Sequence, residues 1–489
     1  MSDSNRVQLS AILEATLGTT PASPRMRIAR MTGESLAYKP DFQTSDEIRA
    51  DRMNAPPIQV GQSNSGAINN EWHYPVDNST LENFLQSAFF NLFTKTPSRD
   101  NDGTADSVIT NVATTGTIVT VNSGAPFVAS QLVRFTGFGV AGNNGVFKCT
   151  TGSATVPAFA GSGITDEAIP PGTARLKVVG FQGGSGDITA TSTGLGSTTL
   201  DFTTLGLTVG EWLKVGGTAA GTKFATAANN DWVRLTAIAA HALTFDNLPS
   251  GWSVDAGAGK TISVWMPDYI KNGTSMQSLS IERGFLDQVT PTYILQKGMV
   301  VDKMSVKIDA KQKITGSFDF LGMSGSQSQA SVAGSTSAAP DPSTYPVMAA
   351  SANVGRVGFN GASLASPNFV KSFDIELANN LAVIEAVDSP SPVSISSGSC
   401  DISVTLETYF GDNTLLSQLF AGTVISVNAR ATKGSQALIW GVPSLTLTEG
   451  VPNAARKNDR VTLPAKGSAS IDALTNAHIT LSRLEYFET

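Results

Sequence analysis

Charge is what this sequence has least of. Asp, Glu, Lys and Arg make up only 15% of its 489 residues, against roughly 25% in ordinary soluble domains. The balance is acidic, at −7, which argues against the phosphate neutralisation that drives nucleic-acid binding. Two cysteines, Cys149 and Cys400, are too few for a disulfide framework, and a reducing compartment suits them better. The three histidines, His73, His241 and His478, lie in separate segments without metal-ligand spacing. No run approaches the roughly 18 apolar residues that span a bilayer. The start, MSDSNRVQLSAILEATLG, has no apolar signal core. The expectation is a soluble protein synthesised in the cytoplasm, with no membrane association. A hydrophobic content of 41% excludes a disordered chain, and the length suggests about three domains.

Catalytic constellations are missing too. Neither cysteine has an adjacent histidine, and Gly441-Val442-Pro443-Ser444 is not the Gly-x-Ser-x-Gly nucleophile elbow. Gly61 and Gly66 have no Gly-Lys-Ser/Thr ending to make a phosphate loop. No enzyme, metal or cofactor is expected.

What the chain does have is a switch in character near residue 99, reversed near 272. Between them it is rich in Gly, Ala, Thr and Ser and holds two diverged copies of one small β unit. Residues 131–135 (QLVRF), 143–148 (NNGVFK) and 175–179 (RLKVV) align with 211–215 (EWLKV), 229–234 (NNDWVR) and 260–265 (KTISVW). Asn143 to Val178 and Asn229 to Val264 are each 35 positions apart. Each copy predicts about five short strands, a small Ig-like or barrel module, with the Asn-Asn pairs in left-handed turns. The division expected is 1–98 and 273–489 as two parts of one β domain, interrupted by modules at 99–183 and 184–272.

In the first flank, residues 5–16 (NRVQLSAILEAT) suit a short helix stopped by Gly18 and Pro21. Residues 25–31 alternate basic and apolar, the mark of a half-buried strand. Arg25, Arg27 and Arg30 then either face solvent or pair with acids of an adjacent subunit. Segment 45–52 (SDEIRADR) is dense in both signs of charge. Asp46, Glu47, Arg49, Asp51 and Arg52 form either a solvated loop or register-fixing ion pairs between copies. The glycines of 60–68 suggest a turn between strands, followed by a strand at 69–75 with His73 packed between Trp72 and Tyr74. Ser79-Thr80-Leu81-Glu82 is a capping box opening a helix over 80–93. Leu81, Leu85, Ala88, Phe89 and Leu92 make its stripe. Phe84, Phe90 and Phe93 lie off it, so the helix must be buried on more than one side.

The second flank reads as strands at 276–281, 299–308 and 313–320, then a low-complexity loop at 322–345. Two alternating strands follow. Phe373, Ile375 and Leu377, like Ile402, Val404 and Leu406, share an inward face. Asp374, Glu376, Asp401 and Glu407 fall on the opposite, polar face, a simpler reading than a glycosidase pair. A short helix at 413–420 ends at Gly422, and strands near 423–430, 436–448, 459–471 and 477–487 complete the sheet.

The order Gly18-Thr19-Thr20-Pro21, Thr32-Gly33-Glu34-Ser35-Leu36, residues 45–52, and Gly61 to Gly66 resembles the tail tube (major tail) proteins of long non-contractile-tailed phages, the siphophage type. That resemblance implies a mainly β, tail-tube-type sandwich or barrel with a flanking short helix. It also implies hexameric rings stacked into a hollow virion tail tube that houses a tape measure protein and later passes the genome. Implied partners are further copies of the chain, the tape measure, tail terminator and distal tail or baseplate proteins. Viral DNA passes without specific binding. On this reading Asp374, Glu376, Asp401 and Glu407 are candidates for an acidic lumen wall. Lys303 and Lys307 alternate in the same way and either offset these acids or face outward. The insert exceeds the minimal family domain. It is expected to project outward, for host-surface or glycan contact or as decoration, and to be dispensable for assembly. The competing reading is a carbohydrate-binding surface or capsid-decorating protein built of small β modules, with a polysaccharide-active enzyme third.

Overall fold

The alternation of apolar and polar residues resolves into antiparallel sheets, with strand at 46% and helix at 7%. The computed structural model describes residues 3–101, 109–113, 118–120, 124–160, 163–333, 338–339, 343–364, 367–454 and 456–488. Strand Thr292–Asp309 is the hub of an 18-stranded sheet. Its first half pairs with Leu279–Phe285 and Ser324–Ser328, its second with Thr315–Leu321 and Val370–Ala378. From Val370–Ala378 the sheet continues through Asp401–Tyr409, Thr462–Ala469, Gln436–Gly450, Val424–Lys433 and Val354–Phe359. On the other side, Thr315–Leu321 pairs with Ile58–Glu71.

The inner face carries Phe373, Ile375, Leu377, Ile402, Val404 and Leu406, all buried in one core with helix Thr80–Phe89. Every residue of that helix is buried. The Ser79 hydroxyl accepts from the Glu82 backbone N–H at 3.2 Å, and the Glu82 carboxylate accepts from the Asn78 N–H at 2.5 Å. The helix ends at Phe89, short of the expected 93. The returning chain donates from Gly273 N to Phe89 O and from Ser275 N to Phe90 O, and Phe90 turns left-handed at φ 49°. Helix Thr414–Ala421 ends on Gly422, also left-handed.

Four local expectations give way. Residues 5–16 form strand Val7–Leu13, paired along its length with Leu279–Phe285. Tertiary pairing overrides helix propensity there. The turn expected within 60–68 is part of one unbroken strand, Ile58–Glu71. Gly66, at φ +141°, serves close approach instead, since a Cβ would lie 2.5 Å from Leu36 Cα. Within 25–31 only Arg27–Ile28 is strand. Within 322–345, Ser324–Ser328 is a strand, because Tyr293–Lys297 offers it an edge; 334–337 and 340–342 lie outside the described residues.

The insert carries two hydrophobic cores, one drawn from Ile109 to Val178 and one from Phe181 to Met266. Pairing of Gly180–Phe181–Gln182 with Trp265–Val264–Ser263 joins their strands into one sheet. The Asn-Asn pairs are not left-handed, Asn144 lying at φ −109° and Asn230 at φ −102°. They brace loops from inside. Asn143 exchanges side-chain bonds with the backbone of Thr165, and Asn229 does so with Ser253. Asn144 clasps Phe138 and Val140, and Asn230 clasps Phe224 and Thr226, at identical offsets. The sequence repeat is thus repeated chemistry.

Candidate assembly surfaces and the insert junction

Register decides what the polar sheet face contains. Lys307 lies opposite Asp374, Ser305 opposite Glu376, and Lys303 opposite both Ala378 and Asp319. On the next strand Ser403 faces Glu376 and Thr405 faces Asp374, and Thr405 in turn faces Lys466. Asp374, Glu376, Asp401 and Glu407 therefore share one face, with Lys303, Lys307 and Lys466 among them. A shallow trough of about 460 Å³ runs across it, lined by Lys303, Lys307, Asp319, Glu376 and Asp401 among others. Partial burial, with Asp309 adding repulsion, pushes the Asp374 carboxyl up against the pull of Lys307. Glu407 is paired with Lys371 at 2.9 Å, and Asp401 accepts from Asn380 at 2.7 Å.

A second surface is the hairpin of Ala37–Gln43 and Ile58–Glu71. Asp46, Glu47, Arg49, Asp51 and Arg52 all lie exposed in its 44–57 loop. Arg49 grips Asp51 with two hydrogen bonds, at 2.8 and 3.2 Å. Sequence reading stressed these charges and missed their apolar companions: Ile48 is 103% exposed and Met53 69%, with Phe42, Ile58 and Val60 exposed below them. The signal was present in the Ile and Met of a charged run, but only the hairpin shows them uncovered. Arg25 is exposed and Arg27 half-buried. Arg30 donates within the chain to the carbonyls of Ser343 and Tyr345.

The third site was not anticipated. Where the insert meets the sheet, four carboxylates (Asp77, Glu82, Asp268, Glu485) interlock with four cations (Lys95, Arg175, Lys177, Arg483). Arg483 is fully enclosed. It donates to Asp77 at 2.5 Å, Glu82 at 2.8 Å, Asp268 at 3.0 and 3.1 Å and the Pro75 carbonyl at 2.9 Å, and lies over the Phe93 ring. Lys177, from the first module, bridges Asp268 at 2.6 Å and Asp77 at 3.0 Å. Burial works against the ionised Asp77, but Lys177, Arg483, Lys95 and Arg175 outweigh it and hold its carboxyl well below the usual range. Beside this network Trp212, Trp232 and Trp265 pack on Ala437, Ile439, Leu484 and Phe487. Sequence could not reveal the cluster, because its members come from five separate stretches of chain.

His73 is buried, its Nδ1 3.1 Å from the Glu71 carbonyl. Burial, reinforced by the Arg30 charge, pulls its pKa down to about 4. Among the described residues no group of three or more His, Cys, Asp or Glu is placed to hold a metal ion, and no helix is long and apolar enough to cross a membrane. A family model described as "Phage tail tube protein" matches residues 4–473. No curated protein matches the chain.

Proposed function

The chain belongs to the phage tail tube proteins and is a structural component of the virion tail, and from that premise we propose that its copies close into hexameric rings stacked as the hollow tube through which the genome leaves. The observation that carries this reading is the hairpin loop. Among the described residues Ile48 stands uncovered and Met53 largely so on a folded, charge-poor chain, and charges of both signs beside them suit a contact whose orientation must be fixed. Asp46, Glu47, Arg49, Asp51 and Arg52 serve the contact between copies. Arg25 and Arg27 contribute from the N-terminal arm, whereas Arg30 braces its own chain.

The polar sheet face lines the lumen, with Asp374, Glu376, Asp401 and Glu407 as its acids. Lys303, Lys307 and Lys466 moderate the repulsion through cross-strand neighbours, leaving a polar wall without the excess of cations that would hold DNA. The tape measure occupies this lumen during assembly. Tail terminator and distal tail or baseplate proteins meet the two ends. Residues 1–98 and 273–489 form the tube domain, and 99–183 and 184–272 are the two modules mounted on it, available for host-surface or glycan contact. Burial of Trp212, Trp232 and Trp265 under the sheet supports a fixed mounting and removes these rings as a sugar platform. That weakens the alternative of a stand-alone carbohydrate-binding or capsid-decorating protein.

The test is electron microscopy of concentrated purified protein, alone and with a tail-initiating complex. Rings or tubes are expected, and Ile48→Asp with Met53→Asp abolishes stacking while leaving the fold intact. A concentration-independent monomer in both conditions overturns the proposal.

A further inference from the structure

Between the second module and the Val354–Phe359 edge of the main sheet lies a cleft of about 840 Å³. Its charged lining is Arg356, Arg430 and Asp231. Arg430 lies over the Trp232 ring and contacts Asp231 at 3.4 Å. Arg356 donates to the Gly361 carbonyl. Among the described residues these are the only hydrogen bonds of either guanidinium, and the Nε of both is buried without a partner. A guanidinium offers five donors, so both are under-used. Behind the cleft, Lys214 donates to the carbonyls of Val215 and Asn230. Burial, with Arg430 and Lys223 adding repulsion, pulls its pKa down to about 8 despite Asp231. Asp246, next to the cleft-lining Asn247, is already held by Arg234. Cations thus outnumber carboxylates in this cleft, in a chain of net charge −7.

We propose that this cleft binds a carboxylate-bearing saccharide, with Arg356 and Arg430 taking the carboxylate. A planar guanidinium matches a carboxylate in two-point geometry. The rest of the polar lining is neutral: Asn247, Asn360, Ser250 and Ser363, with Asn230 already held by Phe224 and Thr226. Amides and hydroxyls both donate and accept, which suits sugar hydroxyls and is wasted on an ion that only accepts. Leu248 and Pro249 supply a small apolar wall for a ring's C–H face. The volume exceeds what a bare anion fills and falls within the range of small-ligand sites. The site deepens the glycan-contact reading of the insert but does not depend on ring formation, so binding is measured on unassembled chain and assembly separately by microscopy.

The experiment is calorimetric titration of the full-length protein with trigalacturonate, neutral maltotriose and a penta-glutamate peptide. Saturable binding of trigalacturonate is expected, with maltotriose at least about tenfold weaker, as loss of a charge-assisted pair implies. Arg356→Gln weakens trigalacturonate about tenfold or more with an unchanged melting temperature. Arg430→Gln does the same; because Arg430 packs on Trp232, Arg356→Gln keeps the test decisive if the Arg430 variant misfolds. Absence of saturable binding, equal affinity in Arg356→Gln, or penta-glutamate binding as tightly as trigalacturonate overturns the proposal, the last by assigning the cleft to an acidic protein segment.

Discussion

Arg483→Met is the sharpest probe of how the insert is attached. The substitution keeps most of the aliphatic stem and removes a guanidinium that is 1% exposed. Three carboxylates lose a donor together: Asp77, Glu82 and Asp268. All three retain alternatives, Asp77 in Lys177 at 3.0 Å and Lys95 at 3.1 Å, Glu82 in Lys95 at 2.7 Å and Asp268 in Lys177 at 2.6 Å. Breaking one partner of a buried ion pair costs about 3–5 kcal/mol. The surviving lysines favour the lower end of that range, while the lost Phe93 contact adds a further ~1 kcal/mol. We expect about 3–4 kcal/mol by urea unfolding of unassembled protein. Asp268→Asn in the same chain recovers part of it, because less unpaired charge is then left buried. The pH dependence follows from the same groups. The pKa values of Asp77 and Asp268 are lowered on folding. Their stabilisation is complete above the ordinary value of about 3.8 and is lost as pH falls through the lowered folded values. Without Arg483 those values rise, so acid unfolding begins at a higher pH. A loss below about 1 kcal/mol, with an unmoved acid transition, refutes the view that this network holds the junction.

His73, with a folded pKa of about 4 against an ordinary 6.5, leaves the unfolded chain binding more protons between those values. Stability is therefore full above about pH 6.5 and falls as pH drops toward 4, by about 3 kcal/mol; His73→Gln flattens that slope in pH-dependent unfolding, and an unchanged slope contradicts the assignment. Deleting 101–271 with a Gly/Ser bridge uncovers Ala437, Ile439 and Leu484 and strands Arg483 without Asp268 and Lys177, so insoluble or molten product is expected by near-UV circular dichroism. A folded, tube-forming deletion would restore the insert to dispensable decoration. Replacing Asp374, Glu376, Asp401 and Glu407 with Lys in assembled particles slows genome ejection, since each new cation neutralises phosphate; normal tubes with an unchanged ejection rate exclude this face from the lumen.

Local chemistry was legible wherever a short pattern suffices. The Ser79 cap on the Glu82 N–H forms as written, with the Glu82 carboxylate reaching back to the Asn78 N–H instead of that of Ser79, because these hydrogen bonds lie within four residues. The alternations at 373–377 and 402–406 bury the expected side chains, because a strand offers its residues only two faces. The duplicated Asn143-Asn144 and Asn229-Asn230 were visible as a repeat, although their bracing role was not. Family membership was likewise carried by the first flank, in the order of its motifs. Pairing partners were not legible. Whether 7–13 becomes helix or strand depends on the free edge of Leu279–Phe285, some 270 residues away, and Ser324–Ser328 is strand only because Thr292–Asp309 lies beside it. The same holds for charge. Nothing in the local sequence around Asp77, Lys177, Asp268 or Arg483 marks them as one cluster, since a buried ion network is defined by distance and desolvation, and both belong to the folded chain alone.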